Sequence, residues 1–462
     1  MKKFMLSSKI KVLDEIKSGK NIYLFYLSAF VCLFELFLGG APNSPNFKFQ
    51  IGVFFAFLLL AWSVWKGAFG ILFQRDRLLF GALVAVWAVP LLQLIPVPSS
   101  IWQVLPGREL EHGILEYLHQ GPYWHALTTD FGATSFSVVT LVPPTAIFLS
   151  ALVLDRTQRE ALVTLILAVA VVAAFVSFFQ FVSAGTSFSF YETAHQGFGI
   201  GFFANRNHQS VFIVIAMLLA SGFLIRDARD WQGQLIGLAL VMILALSAVT
   251  TTFSRAGMAF FLAGLGAVAA VMAGLRNIGW RPMLVALLGL AGLGGAIAST
   301  HQFDRFLARL QTAADDQRFE YAVESMPIIA DYFPVGSGIG TFVSVYQKYE
   351  TIDRLVPNYA NHLHNDYLEI LMEAGMLGAL ALLLGIVALG RLIFRNLRQP
   401  FRRANLLGAA AAVSTIFLMA HSVIDYPLRT QALACLFSLL LVLMLDDPRA
   451  RLERMLGKRP QG

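Results

Sequence analysis

The stretch Asn358-Tyr-Ala-Asn-His-Leu-His-Asn-Asp-Tyr-Leu-Glu-Ile-Leu-Met-Glu-Ala-Gly-Met-Leu-Gly378 sets a polar knot against an apolar run, and its reading decides the fold. Asn365 or Asp366 is placed to cap a helix by accepting from its free N–H groups, and Tyr367, Leu368, Leu371 and Met372 give that helix an apolar side. His364 then lies just before the first turn, outside the helix and free to face solvent or substrate. Gly375 and Gly378 interrupt the helix before the run from Ala379 to Leu389 enters lipid. The site sits at a membrane surface.

Composition agrees with that reading. The chain has 462 residues, 57% hydrophobic and 14% charged, with a mean hydropathy of +0.66, more apolar surface than a water-soluble core hides. Apolar runs recur at 22–39, 51–65, 78–95, 138–154, 161–182, 208–225, 232–252, 256–274, 282–299, 376–394, 405–423 and 430–445, many of them near the ~20 residues that cross a bilayer as a helix. The expected fold is therefore all-α: a polytopic helical membrane protein of about twelve transmembrane helices, with a helical subdomain formed by an outer loop. Six lysines precede the first run, and no small-residue cleavage site follows it, so it reads as a retained span. Cys32 and Cys435 each fall in a span, which leaves no disulfide framework and no cysteine metal site.

With both termini cytoplasmic, 25 of the 35 basic residues fall on the inner side beside ten carboxylates, while the rest of the chain is net acidic. This bias orients the protein in its membrane and explains the net charge of +7 without a nucleic-acid surface. Two outer loops exceed ordinary turns, 96–137 and 300–375, and all nine histidines fall on the outer side or at an outer span end. The segment 303–332 has the spacing of an interfacial helix pair. The turn Pro334-Val-Gly-Ser-Gly-Ile-Gly340 reads as a structural turn or, with a weaker signal, as a phosphate cradle.

Two guanidinium groups sit at membrane depth. Arg206 lies in Phe202-Phe-Ala-Asn-Arg-Asn-His-Gln209 and Arg255 in the short turn Thr250-Thr-Thr-Phe-Ser-Arg-Ala-Gly257. Either one alone can snorkel to a headgroup, but two converging from neighbouring hairpins suit bidentate capture of a lipid diphosphate. His364, a histidine at a water-facing helix mouth, suits a general base; with His362 and Asp366 it can also be read as a metal-ligand set that lacks a third clear His or Cys. Glu35 is the one carboxylate inside an apolar run and suits sugar hydroxyls or an arginine partner. His421, Asp425 and Arg429 read as a salt-bridged outer turn.

His364-Asn365 followed after nine residues by Gly375-Met-Leu-Gly378 resembles the signature of bacterial O-antigen ligases and Wzy-type O-antigen or exopolysaccharide polymerases. The segment 203–208, the Ser254-Arg255 pair, the turn at 334–338 and Asp425 to Pro427 are similar to that family too, so the likeness covers about residues 200–430. It implies a C-type glycosyltransferase fold without metal or other cofactor, with an undecaprenyl-diphosphate-linked glycan as donor and a glycan or lipid-linked glycan as acceptor. It further implies Arg206 and Arg255 on the donor diphosphate and His364 as catalytic base, supported by Asn205, His208, Asn365 and Asp366. His362 lies outside the signature. The chain is thus expected to divide into N-terminal spans (1–200), a catalytic region (201–430) with its periplasmic loop, and a last span with a basic tail (431–462). Membrane lipids and a polysaccharide export system are the further expected partners, and a lipid-linked oligosaccharide transporter is the alternative of another class.

Overall fold

The computed structural model describes residues 21–41, 46–118, 124–191, 195, 197–227, 230–276, 317–350, 360–398 and 405–445. Among them the chain is nearly all helical. Its main helices are α1 (Ile22–Leu38), α2 (Phe47–Trp65), α3 (Arg77–Gln93), α4 (Val142–Val153), α5 (Arg156–Val182), α6 (Arg206–Asp227), α7 (Trp231–Thr252), α8 (Arg255–Arg276), α9 (Gln317–Tyr332), α10 (Asp366–Arg398), α11 (Leu406–His421) and α12 (Gln431–Leu445). Among the described residues seven helical stretches are long and apolar enough to cross a membrane: α2, Phe131–Val153, α5, α6, α7, the first part of α8, and α10; α1, α3, α11 and α12 are shorter apolar helices. This bears out a polytopic helical membrane protein. The expected span at 282–299, the first half of the interfacial pair and both charged termini lie outside the described residues. The fourth span starts earlier than its hydropathy suggests, because Asp130 caps the N–H of Ala133 at 2.9 Å and the helix begins at Phe131.

Aspartates start three other spans. Asp76 accepts from Leu79 N–H at 3.1 Å and Asp230 from Gly233 N–H at 2.6 Å, while Asp155 and Gln158 form a reciprocal capping box. The most enclosed span is α6, with 83% of its apolar window buried against 17% for α10; it packs on α5, α7, α8 and α11. Its first turn carries Arg206, Asn207 and His208, so the polar site hangs on the end of the central helix. Arg226, at the opposite end, forks onto Glu160 at 2.6 and 2.9 Å.

A second, small core joins the outer segments: Ile328 and Tyr332 of α9, Phe342, Val345 and Tyr346 of a short helix, and Leu363 and Met372 around the start of α10. The all-α expectation missed one feature here, an antiparallel ribbon in which Pro96–Pro98 pairs with Trp124–Ala126. Arg108, fully buried, straps this loop to the Gly-rich turn by donating to the carbonyls of Leu127 at 2.7 Å and Gly336 at 3.1 Å. The helix α10 does break at Gly375 (φ 50°, ψ −134°), where Met376 N–H leaves the helix for the Pro334 carbonyl at 2.9 Å. A Cβ at Gly375 would lie 2.2 Å from that same carbonyl oxygen, which is why glycine stands there.

Candidate functional site

Asp425 is the hub of the outer cluster. It sits in the turn after α11, and its enclosed carboxylate is reached from segments far apart in the chain. The Asn205 amide lies 3.3 Å from both oxygens, the Asn207 amide 2.8 Å from Oδ2, the N–H of Tyr426 3.0 Å from Oδ1, and His364 Nδ1 3.2 Å from Oδ1. Arg318, near the start of α9, stands 3.6 Å from Oδ2 and donates to the Ile424 carbonyl at 3.1 Å. Burial by itself opposes ionisation, but the Arg318 guanidinium and the His208 and His364 donors outweigh it and hold Asp425 well below the usual carboxylate range.

His364 is reached through a strained turn. Its φ of 58° puts a non-glycine residue in the left-handed region, at a cost of roughly 1–2 kcal/mol that its surroundings must offset. Those surroundings are the Asp425 bond, the Tyr426 ring at 4.8 Å and the parallel Tyr321 ring at 6.3 Å. Asn365, rather than Asp366, then caps α10 by accepting from the N–H groups of Tyr367 and Leu368, each at 3.1 Å. Asp366 ties α10 to the end of α11 instead, accepting from Ser422 Oγ at 2.8 Å while its own N–H donates to the Ser422 carbonyl at 2.9 Å. That tie is what brings His364 onto Asp425. The imidazole keeps 19% of its surface open while partnered by Asp425.

Arg206 and Arg255 each open a helix, α6 and α8. The Arg206 guanidinium lies 4.5 Å over the Phe198 ring, and that ring stands 6.0 Å from the ring of Phe253, two residues before Arg255. Gly199 N–H donates to the Thr251 carbonyl at 2.9 Å and stitches the two segments together. His195, on the same loop, is pushed down to about 4, first by burial and then by Arg206, with Asp425 opposing. His208 is fully buried, 3.6 Å from Asp425 through Nε2 and edge-on to Tyr426 at 5.2 Å.

The ligand set His362, His364 and Asp366 does not converge: His362 goes to Glu369 at 2.8 Å, His364 to Asp425, and Asp366 to Ser422. A different trio, His208, His421 and Asp425, has ligand atoms within 4.8 Å of one another. Arg318 beside its only carboxylate disfavours a cation there. The Gly-rich turn is no phosphate cradle. Its N–H groups are taken by the protein: Gly336 by Tyr332, Ser337 by Met372, Gly338 by the Glu373 carbonyl, Ile339 by Gln93, Gly340 and Phe342 by the Glu373 carboxylate, and Thr341 by Gly338. Glu373 occupies the place an anion would take.

The outer turn is salt-bridged as read, with His421 Nε2 3.9 Å from Asp425 Oδ2. Arg429 reaches α10, where it lies 3.6 Å from Asp366, 3.4 Å from Glu369 and 3.0 Å from Glu373. Burial lowers its pKa and these carboxylates, Glu369 foremost, more than reverse that and raise it. Glu35 is buried against Gly39 and Gly52. Sequence reasoning passed over Arg318, Glu369 and Glu373; the signal available was a pair of acids four apart on an otherwise apolar helix face.

A search of curated proteins finds no match. Residues 240–383, which include Arg255, His364 and the Gly375 to Gly378 break, match the family model described as O-antigen ligase. The match supports an enzyme of the glycosyltransferase-like, membrane O-antigen ligase or polymerase type, and with it the resemblance drawn from the sequence is borne out: the chain carries an O-antigen ligase family region.

Proposed function

We propose that the protein transfers a glycan from undecaprenyl diphosphate to an acceptor sugar hydroxyl at the periplasmic face of the inner membrane, polymerising O-antigen or exopolysaccharide repeat units. One observation supports this above the rest: the His364–Asp425 pair stands with the Arg318 guanidinium beside the carboxylate, so a candidate base and a cationic group meet in one place. With Nδ1–H donating to Asp425, Nε2 holds the lone pair and takes the proton of the acceptor hydroxyl. The freed oxygen bonds to the anomeric carbon, the bond from that carbon to the diphosphate oxygen breaks, and undecaprenyl diphosphate departs against Arg206 and Arg255, with Arg318 near. A single displacement inverts the anomeric centre, and a diphosphate leaves without a metal or a general acid.

Ligation of finished polymer to lipid A core is the second reading, favoured by the description of the matching family. The test is the glycan that accumulates on deletion, with His364→Ala supplied as the only copy. Single repeat units on acceptor or carrier support polymerisation, and full-length polymer on undecaprenyl diphosphate beside bare core supports ligation. Normal glycan from the His364→Ala cells, or activity lost to a chelator and restored by a divalent metal, would overturn the mechanism.

A further inference from the structure

His362 has no part in the mechanism above, yet it is built like His364. Its Nδ1 lies 2.8 Å from Glu369 Oε1, and the other oxygen of that fully enclosed carboxylate takes the Leu363 N–H at 2.9 Å. The imidazole keeps 18% of its surface open, close to the 19% of His364. Both rings rest on Tyr426, at 4.4 Å for His362 and 4.8 Å for His364, while His208, the third imidazole on that phenol, is closed. Two partly open imidazoles, each held at Nδ1 by a buried acid, thus contact one buried phenol ring, and each keeps Nε2 as the nitrogen that its acid does not hold.

The surroundings of the two imidazoles differ in charge. Behind His364 stands Asp425 with Arg318 at 3.6 Å. Behind His362, one guanidinium, Arg429, is set among three carboxyl groups, Asp366, Glu369 and Glu373. That side has no surplus positive charge, so a diphosphate is not drawn to it, whereas neutral hydroxyls lose nothing there. Sugar hydroxyls also bond well to an imidazole whose ring is held in place.

We infer that His362, held by Glu369, binds the acceptor: its Nε2 takes a hydroxyl of a neutral acceptor sugar next to the one that His364 deprotonates. This rests on the transfer reading above. It assigns His362 to acceptor affinity, with the diphosphate left to Arg206 and Arg255.

The test uses the purified full-length protein. The donor is the undecaprenyl-diphosphate glycan extracted from cells lacking the protein, and the acceptor is the oligosaccharide released from it by mild acid. His362→Ala is expected to raise the acceptor KM by about tenfold, the loss of one good hydrogen bond, while kcat at saturating acceptor and the donor KM stay within about threefold. His362→Gln, whose amide reaches the place of Nε2, restores part of the acceptor affinity. A raised donor KM, or a fall in kcat with unchanged acceptor KM, overturns the assignment. Binding of the same oligosaccharide is also read without turnover, from the broadening of its proton resonances by the wild-type protein and by His362→Ala. If the wild type transfers nothing, the transfer reading fails by itself; equal broadening by the two proteins sinks the acceptor assignment whether or not transfer is seen.

Discussion

The imidazole of His364 meets the buried carboxylate of Asp425 at 3.2 Å across 61 residues of chain. This pairing fixes the tautomer and aim of the ring, and it makes Asp425 a positioning residue for the proposed base.

Asp425→Asn keeps the shape of the hub and removes its charge. Turnover is expected to fall on the order of 10²-fold with normal protein levels, since an amide neither selects the Nδ1–H tautomer nor stabilises the imidazolium. A pH effect follows as well. Because the folded pKa of Asp425 is depressed, its contribution to stability is fully present above the ordinary aspartate value of about 4 and is lost as pH falls through the lower folded value. The gap between the thermal midpoints of wild type and variant in detergent should hold steady above pH ~4 and narrow below it. A gap that widens on acidification would refute the depressed pKa.

Arg206→Lys and Arg255→Lys retain charge and lose the planar fork. Each is expected to cut glycan output about tenfold or more at unchanged protein level, because an ammonium cannot hold two phosphate oxygens in parallel. Near wild-type output from both lysine variants would mean that the two side chains merely snorkel.

Gly375→Ala forces a side chain into a left-handed backbone and onto the Pro334 carbonyl. The backbone alone costs roughly 1–2 kcal/mol, and the clash must also part α10 from the Gly-rich turn. A lower thermal midpoint is expected, together with weaker acceptor transfer; a midpoint equal to wild type would show that this contact is dispensable.

The spans were legible because period and length decide them: eleven of the twelve apolar runs correspond to helices, and the twelfth lies outside the described residues. His364 was legible because it sits beside a capping asparagine, a local pattern. The role of Asp425 as the hub was not, because its partners arrive from as far as 220 residues away and no spacing rule connects them. The Gly-rich turn left two readings open, since the choice depended on whether Glu373, a helix residue facing it, supplied the anion. Thr128 and Ser337 show the same gap: both stand in loops by hydropathy, and both are buried where the two loops meet. Loop and exposed are different properties once a second small core forms outside the spans.

The buried guanidinium of Arg108 carries a lesson for anyone exchanging parts between such proteins. It holds Gly336 from a point more than two hundred residues upstream, and Gln93 likewise binds both Ile339 N–H and the Glu373 carbonyl. A chimera that grafts residues 201–430 onto foreign N-terminal spans would leave those carbonyls and that N–H without their donors and acceptor. The natural unit of exchange therefore includes Gln93 and Arg108 along with the histidines, and a graft that carries them is the one expected to keep the turn beneath Glu373 in place.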